Sequence, residues 1–389
     1  MSKRLPRGTW DVVVVGAGPA GAAAARVAAE HGCTVLLVER DGIPRYKTCG
    51  GGLVGGSPAS LPEGAKVEIH DEVQRVTLSM NGRWERTLPS RPPWAKMVFR
   101  SEFDAALVEE AARAGVSVRD QCAVKGVEST EDEVRLRVGS GEYLRARAVV
   151  GADGSASRIA KFVDVRCRQV DLALEVEVPV GSRLSKSWSG RALMEWGPFP
   201  DSFGWVFPKG DVCTVGVVGS RGSPDATRRY MRDFLERQEV AGIEPIHDSG
   251  HLTRCRAADS PLSRGRVLVA GDAAGLVDPW LREGISFALR SGALAGRAGA
   301  SIAGSERGAD VHSEERRYGR AVELGNEMTS SEQVSRIFAR HPALVHTALT
   351  RVPLVWSRVD DYLTGRATIP EVLSSRLVRP VVSALAALS

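Results

Sequence analysis

"DVVVVGAGPAGAAAARVAAEHGCTVLLVER", residues 11–40, holds the reading of the fold. Its first residues, DVVVV, have the β-branched character of a short parallel strand buried on both faces. GAGPAG then puts Gly16, Gly18 and Gly21 in G-x-G-x-x-G spacing and opens an alanine-rich helix. A second strand, TVLLVE, ends at Glu39. Strand, glycine turn, helix and strand in this order make the βαβ unit that binds a dinucleotide. Gly16 permits the tight turn, Gly18 lets backbone approach a pyrophosphate, and Gly21 lets helix pack on strand. The helix N-terminus offers N–H donors and partial positive charge to the phosphates. A carboxylate at Glu39 accepts from a ribose hydroxyl and repels a 2′-phosphate, so the site prefers FAD or NAD to NADP.

Two later stretches bear on the choice of cofactor. AVVGADGSASRIAKF (148–162) reads as a strand ending at Asp153 and Gly154, with Ser157 and Arg158 opening a helix. GRVLVAGDAAGLVDPWLREGISFALRSGALAG (265–296) reads as a strand ending at Gly271 and Asp272, a proline loop, and a long helix. A carboxylate after each strand suits ribityl hydroxyls or the pyrophosphate region, and the small residues 273–275 admit close backbone. The helix that starts near Glu283 and Gly284 aims its positive end at a flavin's pyrimidine edge, where reduced flavin is negative. Together these segments resemble the FAD-binding, glutathione-reductase-like fold of the flavin hydroxylase class. VFRSEFDAALVEEAARAG (98–115) resembles the Arg-x-x-Phe-Asp-x-x-Leu helix of that class, which implies that Arg100 lies along the cofactor. Phe103, Leu107 and Ala111 share one face of that helix and belong to the core. The same resemblance implies non-covalent FAD, also bordered by Ala20, Arg40, Val124 and Ile285. With one dinucleotide fold visible, NAD(P)H or another reductant binds only transiently.

Within the class, hydroxylases show Gly-Asp-Ala-Ala-His where this chain has Gly275, and an Asn where it has Ser286. Halogenases show Trp-x-Trp-x-Ile-Pro; FGWVFP (203–208) lacks the first Trp. Geranylgeranyl reductases show a Lys-x-Cys-Gly-Gly segment and an aromatic-x-Trp-x-Phe-Pro stretch followed by a glycine strand. This chain has KTCGGGL (47–53) and FGWVFPKGDVCTVGV (203–217), and over roughly residues 8–300 it resembles that family. The resemblance implies hydride transfer from reduced FAD to a C=C bond of an isoprenoid or similarly apolar substrate. It places Cys49, Gly50 and Gly51 beside the isoalloxazine, and Phe203, Trp205 and Phe207 on the floor of the prenyl pocket. Cys49 is then a proton donor or redox gate, or else a small buried thiol. NAD(P)H or ferredoxin supplies electrons. Arg282 stands where the family has a glycine, so it stabilises reduced flavin, binds an anionic head group, or points to solvent. The alternative is an FAD-dependent monooxygenase or halogenase acting on a small aromatic or natural-product intermediate.

The fold class expected is α/β: a Rossmann-like FAD-binding domain interleaved with an antiparallel substrate sheet, plus a C-terminal helical region. The boundaries read as 8–75, 98–165 and 262–304 for FAD, 76–97 and 166–261 for the sheet, and 305–389 for a helical cap. Alternating apolar residues mark the sheet, with Trp188, Trp196, Phe203, Trp205 and Phe207 clustered in it. Past residue 305, Pro342, Pro353, Pro370 and Pro380 break an arginine-rich, partly apolar tail into short helices, a cap or a lipid-facing surface. Against 47 acidic residues stand 52 basic ones, a net +5 too small to argue for nucleic acid. Six scattered cysteines without a Cys-x-x-Cys pair fit neither a metal site nor a disulfide framework, and suit a reducing cytosol. No signal-peptide core opens the chain and no apolar run reaches the ~18 residues of a spanning helix. The expectation is a cytoplasmic protein, at most peripheral at the inner face of the membrane, with no metal.

Overall fold

Val12, Val13 and Val14 are fully shielded from solvent, because the strand that carries them has neighbours on both sides. Trp10–Val15 pairs in parallel with Val35–Val38 on one side and Tyr143–Gly151 on the other. Ser117–Arg119 and Val267–Val269 extend the sheet outward, again in parallel. A hairpin of Val124–Ser129 and Val134–Val138 joins the start of Tyr143–Gly151 antiparallel, and Ser263–Arg264 adds a short edge. The computed structural model describes residues 8–305, 308–322, 326–376, 378–380 and 382.

Register decides where the site falls. Val15 lies abreast of Val38 and Gly151, and Gly151 abreast of Val269. The chain therefore leaves four strands at one edge: Gly16 N donates to Val38 O (2.8 Å), Ala152 N to Val15 O (2.7 Å) and Ala270 N to Gly151 O (2.9 Å). Loops far apart in sequence meet there, outside the carboxyl ends of parallel strands. The helices Pro19–Glu30 and Ile285–Gly304 pack at unusually close range. A Cβ at Gly292 would stand 2.2 Å from Ala20 O, and one at Gly296 2.4 Å from Ala24 O. That contact explains why both helices are built from alanine and glycine. The helix Arg100–Arg113 buries Phe103, Leu107 and Ala111, and the fully buried Phe103 alone contributes about 1.5–3 kcal/mol.

The second sheet runs His247–Arg256, Cys167–Pro179, Val212–Ser220, Phe203–Lys209, Arg191–Trp196, Arg75–Met80, Arg83–Pro89. It is not wholly antiparallel as expected: Arg191–Trp196 and Arg75–Met80 are parallel. The pairing joins segments separated by much of the first sheet, so no tight hairpin constrains its direction. Side chains alternate between faces. Val176, Val178, Val206, Val215 and Val217 pack with Tyr230 and Phe234 of the helix Pro224–Arg237. Trp188 lies on this side too, at the end of a helix (Ser182–Trp188) rather than in the sheet, under the Arg191 guanidinium at 4.4 Å. It is thereby separated from the other aromatics with which the sequence grouped it.

The opposite face meets the tail. Pro342 and Pro353 start the helices Pro342–Arg351 and Pro353–Leu363, the first-turn position that lacks no hydrogen bond by being proline. Leu349, Trp356 and Leu363 form one core cluster with Val76, Leu78, Met194, Trp196 and Phe203. Trp356 Nε1 donates to Pro89 O (2.9 Å), and buried His346 bridges Trp196 Nε1 (3.2 Å) and Trp84 O (2.8 Å). Among the described residues no helix is long and apolar enough to cross a membrane.

Candidate functional site

The three fingerprint glycines are bare for different reasons. Gly16 has φ +100°, and a Cβ there would meet Ala152 O at 2.3 Å. At Gly21 a Cβ would lie 1.7 Å from Gly16 O, so helix and strand could not close. At Gly18 the nearest protein atoms to a Cβ are Arg45 Nη2 at 3.7 Å and Arg100 Nη2 at 3.9 Å, ordinary contacts. Nothing in the protein requires Gly18 to be glycine; the cradle in front of it does. The N–H groups of the first helical turn have no partner within the helix, and two guanidinium groups stand beside them. A pyrophosphate fits this donor set.

Those cations are held by buried acids. Asp104 accepts two bonds from Arg100 (2.8 and 2.9 Å) and one from Arg45 (3.0 Å), and Arg45 also pairs with Glu39 at 3.3 Å. Burial alone would lower the Arg100 guanidinium, but Asp104 and the Cys49 thiol hold it above its ordinary value. Glu39 accepts from Ala17 N (2.8 Å), Arg40 N (2.9 Å) and Asp41 N (3.2 Å), which fixes the carboxylate at the strand end where a ribose is expected. Asp272 is half-buried, and desolvation would raise it, yet His251, Lys47 and Arg100 outweigh that and keep it below the usual carboxylate range. Sequence reasoning missed His251, which lies 3.2 Å from both Lys47 Nζ and Ser155 Oγ. Asp153 contacts Ser157 Oγ and accepts from Arg158 N (2.8 Å), capping its own helix, and burial raises it. Glu283 accepts from Ser286 N (2.7 Å), so an acid already caps the helix expected to face the flavin. Burial pushes Glu283 up to about 7.

Two glycines of the CGGG segment are also kept bare by the protein's own packing, although the segment lines the cavity. A Cβ at Gly50 would lie 2.7 Å from the Phe207 ring, and one at Gly51 (φ +75°) 2.2 Å from Val98 O. Gly52 is a strand residue with ordinary space around it. Cys49 is half-buried, with its N–H on Glu175 Oε1 at 2.9 Å. Phe203, Trp205 and Phe207 form a chain of tilted rings 5.9 and 6.4 Å apart, which Trp94 continues at 6.2 Å.

Arg282 does not point to solvent. Its side chain is 6% exposed and its Nε lies 2.7 Å from Asp171 Oδ2, with Nη1 on the carbonyls of Pro279 and Trp280. Its φ is +57°, the left-handed conformation natural to the glycine of the family pattern.

One cavity of about 470 Å³ is bordered by every residue assigned from sequence except Gly21 and Gly271, which are buried in helix packing. It runs from Gly18, Ala20, Glu39, Arg40 and Val124 past Gly154, Gly284 and Ile285 to the aromatic chain. Sequence reasoning missed its far wall of Leu349, Trp356, Val359 and Leu363. Residues 356, 359 and 363 share one face of the helix Pro353–Leu363 at a spacing that could have been read as such, while Leu349 comes from the helix before it. It also missed Glu175, buried at 1% exposure, which burial raises to about 7 and whose Oε2 has no hydrogen-bond partner among the described residues. Glu68, His70 and Glu102 bring ligand atoms within 4.8 Å of one another, outside this cavity.

The family described as FAD binding domain matches residues 9–317. Digeranylgeranylglycerophospholipid reductase 1 of Methanopyrus kandleri is 32% identical over 324 residues, 74% of this chain and 79% of its own. The chloroplastic geranylgeranyl diphosphate reductase of Oryza sativa subsp. japonica is 32% identical over 352 residues, 82% of this chain and 72% of its own. In three dimensions a geranylgeranyl bacteriochlorophyll reductase-like protein of Thermoplasma acidophilum superposes with TM-score 0.79 at 22% identity, covering 97% of this chain and 99% of its own. A flavin-dependent brominase shares the fold at TM-score 0.72 and 18% identity, covering 98% of this chain and 100% of its own. An edge of parallel strands bearing a pyrophosphate cradle thus meets these likenesses in one conclusion: the chain is an FAD-binding oxidoreductase of the geranylgeranyl reductase family.

Proposed function

We propose that the protein saturates C=C bonds of an isoprenoid chain carried by a lipid or a diphosphate. The observation that carries this reading is the continuity of one cavity from the pyrophosphate cradle to a wall of Trp94, Trp205, Phe207, Leu349 and Trp356. An apolar wall next to the flavin motifs suits a long hydrocarbon, held dry over the cofactor. The reductase names of the relatives support the same substrate class. FAD, when bound, supplies the hydride. The residues Gly18, Arg45, Arg100 and Glu39 would hold its pyrophosphate and ribose, and the aromatic chain would orient the alkene. Cys49, at the junction of the two regions, excludes water or moves a proton there. Electrons arrive from NAD(P)H or ferredoxin.

The outer faces of the tail helices support delivery from a bilayer. Leu344, Val352 and Leu354 are exposed, and residues 341–357 include no acid. These residues support the peripheral contact of a protein we propose to be cytoplasmic, at the inner face of a membrane.

The test is anaerobic. Protein loaded with FAD and reduced by dithionite is mixed with geranylgeranyl diphosphate or a digeranylgeranyl glycerophospholipid, and the products are weighed by mass spectrometry. A gain of two hydrogens per bond is expected. No gain with either lipid, together with oxygen consumed in step with an aromatic product in a parallel aerobic assay with NAD(P)H, would replace this reading by the monooxygenase or halogenase one.

A further inference from the structure

The strand Cys167–Pro179 carries three acids on one face, at alternate positions 171, 175 and 177, with Ala173 between. Two of them have a cation. Asp171 pairs with Arg282 at 2.7 Å and Glu177 with Lys209 at 3.0 Å. Glu175 makes no ion pair among the described residues: its Oε1 takes the Cys49 N–H, and its buried Oε2 has no partner there. An unpaired buried carboxylate is far more costly than a neutral carboxyl group.

Its position is specific. Ser249, Glu175, Gly216, Trp205, Met194 and Leu78 stand directly opposite one another across six strands. Gly216 is bare because the Trp205 indole lies over it; a Cβ would be 2.2 Å from Cζ2. Glu175 is therefore the acid next to the pocket's central aromatic, with Cys49 and Gly50 above it. Behind it, Tyr46 Oη stands 3.5 Å from Oε1 and 2.9 Å from Ser249 Oγ, and Thr48 Oγ1 donates to Ser249 at 3.0 Å. Tyr46, Thr48 and Ser249 are all half-buried, so this chain of hydroxyls leads outward.

We propose that Glu175 is the proton donor of the alkene reduction, refilled through Tyr46 and Ser249. This rests on the reductase reading above. One alkene carbon receives the hydride that reduced FAD supplies. The π pair of the double bond forms the new C–H bond at the other carbon with the Glu175 proton, leaving a saturated bond and a carboxylate. Tyr46 passes a proton to that carboxylate and regains one from Ser249, which draws on water. The two electrons spent are restored by a nicotinamide or by dithionite.

The charged groups around Glu175 are Lys209, Lys47 and Glu177, and the Tyr46 hydroxyl and the Cys49 backbone also face it. Asp272 is held anionic and cannot donate. Glu283 is the rival acid, but it stands at the start of the helix Ile285–Gly304, whereas Glu175 lies in the sheet in register with Gly216 and Trp205.

Single-turnover reoxidation of dithionite-reduced holoenzyme by geranylgeranyl diphosphate and by a digeranylgeranyl glycerophospholipid is the test. Glu175→Gln should keep FAD, be reduced by dithionite as fast as wild type, and reoxidise at least about 100-fold more slowly. The wild-type rate should fall as pH rises through about 7, because the acid form is needed. Glu175→Asp should keep such a limb at a lower rate, and Glu283→Gln should keep the limb at the same pH whatever its effect on FAD affinity or rate. Independently of turnover, the pH-difference infrared spectrum should show a protonated carboxyl band that Glu175→Gln removes. A Glu175→Gln enzyme that reoxidises within a few-fold of wild type overturns the inference, as does a limb that disappears in Glu283→Gln instead. Wild-type enzyme that reduces neither lipid brings down the reductase reading, and the inference with it.

Discussion

Replacing Arg282 by glycine sets two effects of known sign against each other. Glycine relieves the left-handed backbone at φ +57°, a gain of about 1 kcal/mol. It also strips Asp171, 3% exposed, of its guanidinium at 2.7 Å. Breaking a buried pair from one side costs about 3–5 kcal/mol. Gln169 Nε2, 2.8 Å from the same oxygen, keeps one donor on Asp171 and puts the loss at the lower end. The net expectation is a destabilisation of about 2 kcal/mol. Asp171→Asn in the Arg282→Gly background should recover most of it, which urea unfolding of the four proteins in a double-mutant cycle measures directly. Because the ion pair is neutral as a unit, the flavin potential of the Arg282→Gly/Asp171→Asn double variant should differ from wild type by less than the ~20 mV that ~1 kcal/mol of unopposed charge would produce. An Arg282→Gly protein of unchanged stability whose potential drops by about 20 mV would refute this reasoning and put the guanidinium's charge on the flavin.

Gly18→Ala should leave the apoprotein's unfolding midpoint in place while weakening FAD by about 1.5–3 kcal/mol for each charged hydrogen bond displaced. Gly21→Ala, with a Cβ 1.7 Å from Gly16 O, should instead unfold the apoprotein; calorimetry and flavin titration separate the two. Glu175 and Glu283 each sit at about 7 in the folded protein, above their ordinary 4.5. Their stabilising protonation is complete below that value and is lost as pH rises through about 7. Apoprotein stability should then fall by about 1.4 kcal/mol per pH unit for each group over that window, and Glu175→Gln should remove one share from a urea series. Gly50→Ala, 2.7 Å from the Phe207 ring, should cost about 1–3 kcal/mol through overpacking. Adding Phe207→Leu should restore it, and denaturation curves of the pair would reveal independent effects if the contact is unimportant.

The FAD edge could be read from sequence because each of its signals is local. Gly16, Gly18 and Gly21 act within one strand–turn–helix unit, and the carboxylates at 39, 153 and 272 each end a strand. Parallel pairing then aligns those ends without further information. The pocket depends on tertiary partners and was harder to read. Trp188 and Trp205 look alike in an alternating apolar pattern, and only the helix Ser182–Trp188 sends the first to the other face. Gly50 reads as room for a cofactor until Phe207 is seen against it. Glu175 sits in "ALEVEV", where nothing shows that residues 171 and 177 form ion pairs and that 175 makes none among the described residues. Arg282 was visible as a departure from a glycine, but its partner Asp171 lies more than a hundred residues earlier.

The far wall of the cavity comes from residues 349–363, downstream of the segments that build the cofactor edge. Drift in substrate length or branching can therefore accumulate in two short helices while the flavin's surroundings stay under separate selection. Exchanging residues 342–363 between relatives is then the natural route to a different hydrocarbon specificity on an unchanged redox centre, and a set of tail chimaeras would sample substrates rather than redox chemistry.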